Sequence, residues 1–222
     1  MQAAWAVWGR ALGLIWEQLA RLIAVNLLWL VLAWPLVTLG AATLGAYAWL
    51  RRAVLEREDL LAERVGTGEA VPQVPLLALF GEVRRLWWPG TLWWLSALLL
   101  LGLEYANFIF WTARLPAFGD VVTVLVLMYL GWLWLALQPF WLDALSEGLP
   151  FRRALGESLR IVAAYPLYAH LSALPPLALF ALGLRFGTLL PVVGVSVLLL
   201  LWACVATGDP RPRRRMFVRD VL

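Results

Sequence analysis

The residue best placed to do chemistry in this chain is Glu104, an acid inside the apolar run that starts at Leu98. A carboxyl at that depth is costly unless it is paired or functional. It reads either as a proton-coupling or substrate contact, or as a shallow acid that reaches the outer interface or pairs with Arg114 or Arg185. Asn107 follows three residues later on the same helix face. His170, the one histidine of the chain, lies near the inner start of a later apolar run, on the side assigned to Asp143. An imidazole is the side chain suited to proton exchange at neutral pH, but without a second histidine or a nucleophile beside it a packed or interfacial imidazole is the plainer reading. Asn26 falls in mid-run, where an amide needs a partner on another helix. Pro175 and Pro176 leave backbone carbonyls free one turn earlier, a break that reads more simply as a passive kink than as the binding-site break some transporters use.

Known catalytic patterns are missing. One histidine and one cysteine, Cys204, leave no ordinary metal centre and no intrachain disulfide. There is no H-E-x-x-H helix, phosphate loop or nucleophile elbow. The chain therefore reads as a non-enzyme without a cofactor. Its basic residues, all 18 of them Arg, fall in short bands and not on a nucleic-acid face. Arg84, Arg85, Arg152 and Arg153 are candidate contacts for a partner or for lipid. Arg213, Arg214 and Arg215 in the tail should attract anionic lipid, by roughly 1 kcal/mol per Arg near the surface. The absence of Lys, with abundant Ala, Leu, Gly and Pro, suggests a GC-rich bacterial genome.

The elements that must position these residues follow from hydropathy. With 63% hydrophobic and 14% charged residues, the chain cannot cover a soluble surface, so lipid has to solvate much of it. A bilayer core about 30 Å thick takes about 20 helical residues per crossing. That ruler gives an all-α membrane protein, a single domain over 1–222, with crossings at 20–37, 39–55, 90–111, 121–141, 167–184 and 188–207 and a basic tail at 209–222. Pro35 closes the first crossing. Gly40, Ala41, Ala42, Gly45, Ala46 and Ala48 are expected to let the first two helices pack closely as a hairpin.

Flanking arginines set the orientation, since they stay cytoplasmic. One side collects Arg10, Arg21, the Arg51–Arg85 group, the Arg152–Arg160 group and the tail, whereas the other has only Arg114 and Arg185. Both ends are thus expected inside, in a bacterial inner membrane, and the start of the chain reads as a retained interfacial helix and not a cleaved signal. Further amphipathic helices are expected near Leu76–Leu86 and after Asp143. Glu17 with Arg21, Glu82 with Arg85, and Glu157 with Arg160 each mark an amphipathic stretch that leads into two crossings. The pattern reads as three units of interfacial helix plus hairpin, or as ordinary membrane-flank chemistry recurring.

Asn26-Leu27-Leu28-Trp29, Trp34 to Thr43, Tyr47 and Arg51-Arg52 resemble the opening hairpin of the YesL-like bacterial membrane family. Gln138-Pro139-Phe140 and Arg153-Ala154-Leu155-Gly156-Glu157-Ser158-Leu159, leading to Pro166, resemble its later signature. The resemblance implies a multi-pass membrane protein with no catalytic residues to carry over. It also implies a role in carbohydrate uptake, because the family's genes often lie beside sugar importers and polysaccharide-degrading enzymes. Two function classes follow: an accessory subunit of a membrane complex such as a carbohydrate importer, or a permease-like subunit moving a small solute. The segment from Asp143 to Gly148 is faintly similar to the coupling helix of importer permeases, with different spacing.

Overall fold

The computed structural model describes residues 2–63, 74–114, 117–185, 187 and 194–208, and among them every regular element is helical. In chain order these are α1 (Gln2–Glu17), α2 (Leu19–Ala33), a 3-10 turn (Leu36–Thr38), α3 (Leu39–Glu63), α4 (Ala78–Arg85), α5 (Trp87–Thr112), α6 (Ala117–Ser146), α7 (Phe151–Ala164), α8 (Pro166–Ser172), α9 (Leu174–Arg185) and α10 (Val195–Thr207). Residues 188–193, where the last crossing was expected to start, and the tail with Arg213, Arg214 and Arg215 lie outside the described residues.

Three helical stretches are long and apolar enough to cross a membrane: Trp87–Trp111, Val121–Ser146 and Pro166–Gly183. A fourth candidate, Val7–Glu17 together with α2, is bent by 84° between its halves. α2 has 15 residues and α10 has 13, which at 1.5 Å per residue reach about 20–23 Å. α3 begins at Leu39 as expected but turns charged from Arg51 onward.

Prolines fix several boundaries in ways that hydropathy alone did not anticipate. Pro89 lies in the first turn of α5, where a missing N–H leaves no bond unmade. α6 runs through Pro139 and on to Ser146, past the expected end at Trp141, where Asp143 and, just beyond the helix, Glu147 both pair with Arg51 of α3. It stops at Gly148, whose φ of +87° suits glycine alone, with Leu149 N–H bonded to Ala144 O and Gly148 N–H to Leu145 O. Asp143 to Gly148 is therefore the end of α6, and not a separate coupling-type helix. Pro175 and Pro176 fall in the first turn of α9, and the helix breaks just before it, at Ala173.

The helices group as three units, α1–α3, α4–α6 and α7–α10. Each opens with an amphipathic helix and a single non-helical residue before the next helix: Gln18 (φ −113°, ψ 17°), Leu86 (φ −100°, ψ 17°) and Tyr165 (φ −130°, ψ 59°). Each amphipathic helix buries one stripe at helical spacing, Val7, Ala11 and Leu14 in α1, Leu79, Val83 and Leu86 along α4, and Ala154, Ser158 and Ile161 in α7. The receiving surface always belongs to a neighbouring unit. α3 packs on α4 and α5, α6 on α7 and α8, and α10 on α1 and α2, while α3, α6 and α10 touch one another at the centre. The three units thus close into a ring in which each last helix is clasped by the opening of the next.

Small residues make that clasp tight. A Cβ on Gly90 of α5 would lie 2.6 Å from the Gly40 carbonyl oxygen of α3, and one on Gly45 would lie 2.6 Å from Val83 of α4. The small stripe of α3 therefore serves the second unit, which corrects the expectation that Gly40 and Gly45 pack the first hairpin. α2 and α3 are joined by the indole of Trp29 donating to Thr43 Oγ1 at 3.1 Å.

Candidate functional site

α3, α4 and α6 meet at one end of the ring in a cluster of charges. An apolar α3 becomes polar at Arg51 and Arg52, one residue pair reaching two directions from successive helix positions. Arg51 Nε donates to Asp143 Oδ1 at 2.5 Å, and its Nη2 donates to Glu147, so one guanidinium holds two successive turns of α6. Tyr47, fully buried one turn earlier, places its hydroxyl 3.3 Å from both Asp143 Oδ1 and the Pro139 carbonyl oxygen. Ser146 closes this end of α6 by donating to the Asp143 carbonyl at 2.8 Å.

Arg52 turns to α4 instead, with Nη2 2.5 Å from Glu82 Oε1. Glu82 also accepts from Arg85, at 2.9 Å from Nε and 2.6 Å from Nη2, and Arg85 Nη2 donates on to the Ser146 carbonyl at 3.0 Å. The Glu82 side chain is only 6% exposed, while those of Arg52 and Arg85 are 50% and 43% exposed. A buried acid bridged by two part-exposed guanidinium groups ties α4 to α3 and to the end of α6. The chemistry these groups form is ion pairing: three carboxylates face three guanidinium groups, with the Tyr47 hydroxyl beside Asp143.

Of the arginines expected at a partner or lipid surface, Arg85 is absorbed into this cluster. Arg84, Arg152 and Arg153 are exposed and carry no intramolecular partner among the described residues. They lie on the amphipathic helices α4 and α7.

The remaining candidates lie apart. Asn26 is buried on α2, and its Oδ1 accepts from the Ser196 backbone N–H at 3.1 Å, capping α10 from another unit, as a mid-span amide requires. His170, half-buried, has Nδ1 2.7 Å from the Pro166 carbonyl oxygen one turn back, and its ring stacks on Tyr129 at 6.3 Å. Arg185 closes α9. Glu104 is not matched by Arg114 or Arg185, which corrects that expectation: its Oε1 is covered and accepts no hydrogen bond, and the Arg114 guanidinium lies 4.0 Å over the Phe110 ring. Asn107 is exposed on α5. Gln138, quoted above only for its resemblance, takes the indole N–H of Trp93 at 2.8 Å and so joins α5 to α6 in the interior.

Among the described residues no cluster of three or more His, Cys, Asp or Glu side chains could hold a metal ion. No protein-family model, curated protein or solved structure matches the chain.

Proposed function

We propose that this chain is a non-catalytic subunit of a bacterial inner-membrane complex, with six crossings, both ends cytoplasmic, and its amphipathic helices presented to the partner on the cytoplasmic side. The observation that carries the reading is the pairing of a braced frame with unbraced charge. Arg51, Arg52 and Arg85 are spent on holding α3, α4 and α6 together, whereas Arg84, Arg152 and Arg153 are exposed and form no ion pair among the described residues. Guanidinium groups on rigid helices suit planar recognition of carboxylates or phosphates. A stable interface buries about 1,200–2,000 Å² in total, which helices of this length can offer and short outer turns cannot. The resemblance to the YesL-like family makes a carbohydrate importer the leading partner.

Charge reversal at Arg84, Arg152 and Arg153, with Arg85 left in place, tests this. The expected result is loss of partner proteins on purification from the native membrane, with insertion and orientation unchanged. Recovery of the same partners by the triple variant would contradict it. The second reading, a permease-like subunit, rests on the three stretches able to cross a membrane. Solute flux through liposomes holding the purified chain alone would favour it over the accessory reading.

A further inference from the structure

The three amphipathic helices share one register. Counted back from the break residues Gln18, Leu86 and Tyr165, their buried positions coincide: Leu14, Glu82 and Ile161 stand four residues before the break, and Ala11, Leu79 and Ser158 seven before it. The position six before the break, about 100° round the helix from the buried Ala11, Leu79 and Ser158, holds Leu12, Phe80 and Leu159, which are 65%, 46% and 46% exposed. An apolar side chain is thus offered outward at the same place in every unit. The next position, Gly13, Gly81 and Arg160, lies about 200° round, on a side that also holds Arg10, Glu17, Arg85, Arg153 and Glu157. Each helix therefore has three sides, one on a neighbouring unit, one apolar and one polar. Arg84 and Arg152 break the pattern, since at about 140° and 120° they stand on the apolar side, one turn after Phe80 and two turns before Leu159. Both are exposed and form no ion pair or hydrogen bond among the described residues.

α4 leads through Leu86 into the Trp87–Trp111 stretch, and α7 leads through Tyr165 into Pro166–Gly183, both apolar enough to cross a membrane. An exposed apolar side that adjoins a crossing is suited to the boundary between headgroups and acyl chains. We infer that the apolar sides of α4 and α7 bind anionic phospholipid of the cytoplasmic leaflet, with Arg84 and Arg152 on the lipid phosphate and Phe80 and Leu159 against the acyl chains. The fork of a guanidinium matches a phosphate, and its hydrocarbon stem can lie along apolar surface while the charged head stays at the phosphate level. Two cations without an internal counter-charge gain more from a negative headgroup than from a zwitterionic one. The inference rests on the membrane placement given under the proposed function and not on its protein partner. It divides the exposed arginines, assigning Arg84 and Arg152 to lipid and leaving Arg153, on the polar side of α7, to that partner.

The purified chain alone provides the test, so the partner reading can fail its own pull-down without changing these results. In a Cys204→Ser background, nitroxide labels on single cysteines compare the neighbouring positions 12 and 13, 80 and 81, and 159 and 160 in liposomes of phosphatidylglycerol and phosphatidylcholine. Labels at 12, 80 and 159 should collide mainly with dissolved oxygen, and those at 13, 81 and 160 mainly with a water-soluble nickel chelate. Native mass spectrometry from mild detergent should show phosphatidylglycerol retained in preference to phosphatidylcholine. Arg84→Gln and Arg152→Gln should each weaken that retention about fivefold, while Arg153→Gln leaves it unchanged. Equal retention of the two lipids, undiminished retention when Arg84 and Arg152 are both replaced, an equal loss with Arg153→Gln, or labels that fail to alternate would each overturn the inference. So would a protein partner released by Arg84→Gln and Arg152→Gln but not by Arg153→Gln, which would move the two arginines to that partner.

Discussion

Glu82 and Glu157 have the same local surroundings, an arginine three residues later on an amphipathic helix, yet they do different work. Arg160 is 78% exposed and its pair with Glu157 is a surface contact, whereas Glu82 is buried and bridges Arg52 to Arg85. Exposed pairs contribute about 0–1 kcal/mol, and removing one member of a buried pair costs about 3–5 kcal/mol, a figure reduced here because both arginines reach water. Glu82→Gln should therefore destabilise the chain by about 1–3 kcal/mol and Glu157→Gln by about 0.5 kcal/mol or less, read from thermal unfolding in detergent. Equal losses would contradict the bridging role. Both pairs are visible in the sequence because i, i+3 charge spacing shows in any helix, but their ranking is not, since burial is conferred by α3 from another unit. Nor does distance along the chain give any sign that Arg114 settles on Phe110 and leaves Glu104 without a neutralising arginine among the described residues.

At the level of helices, hydropathy located the amphipathic and apolar segments well and their ends less well. α6 passes Trp141 and α8 stops at Ser172 because of what lies across from them, a counter-charge in one case and a proline turn in the other. The small residues of α3 were legible as a packing stripe, but not the helix they pack on. Gly90 decides this: its approach to Gly40 and Ala41 is backbone against backbone, which cannot yield as a side chain can. Gly90→Ala should abolish monodisperse behaviour on size-exclusion chromatography, while Gly81→Ala on α4, with nothing within 4 Å of a built Cβ, should leave it unchanged. If Gly90→Ala elutes as the parent does, α3 and α5 are not in the close contact described.

For the whole molecule, the three-unit repeat was faintly readable from charged stretches that precede pairs of apolar runs, and the ring closure was not, because it depends on α10 returning to α1 and α2. That closure places α1, α4 and α7 on equivalent positions of neighbouring units, and the account requires all three to face the cytoplasm. Gly13, Gly81 and Gly156 offer one open position on each helix, since a built side chain meets nothing within 4 Å, and Gly187 offers one at the opposite turn. Cysteines at these four positions in a Cys204→Ser background, probed with a membrane-impermeant maleimide in intact spheroplasts and in inverted vesicles, test this most directly. The account predicts labelling of positions 13, 81 and 156 in inverted vesicles only and of position 187 in spheroplasts only. Labelling of any of the first three from outside, or of 187 from the same side as they are, would contradict it.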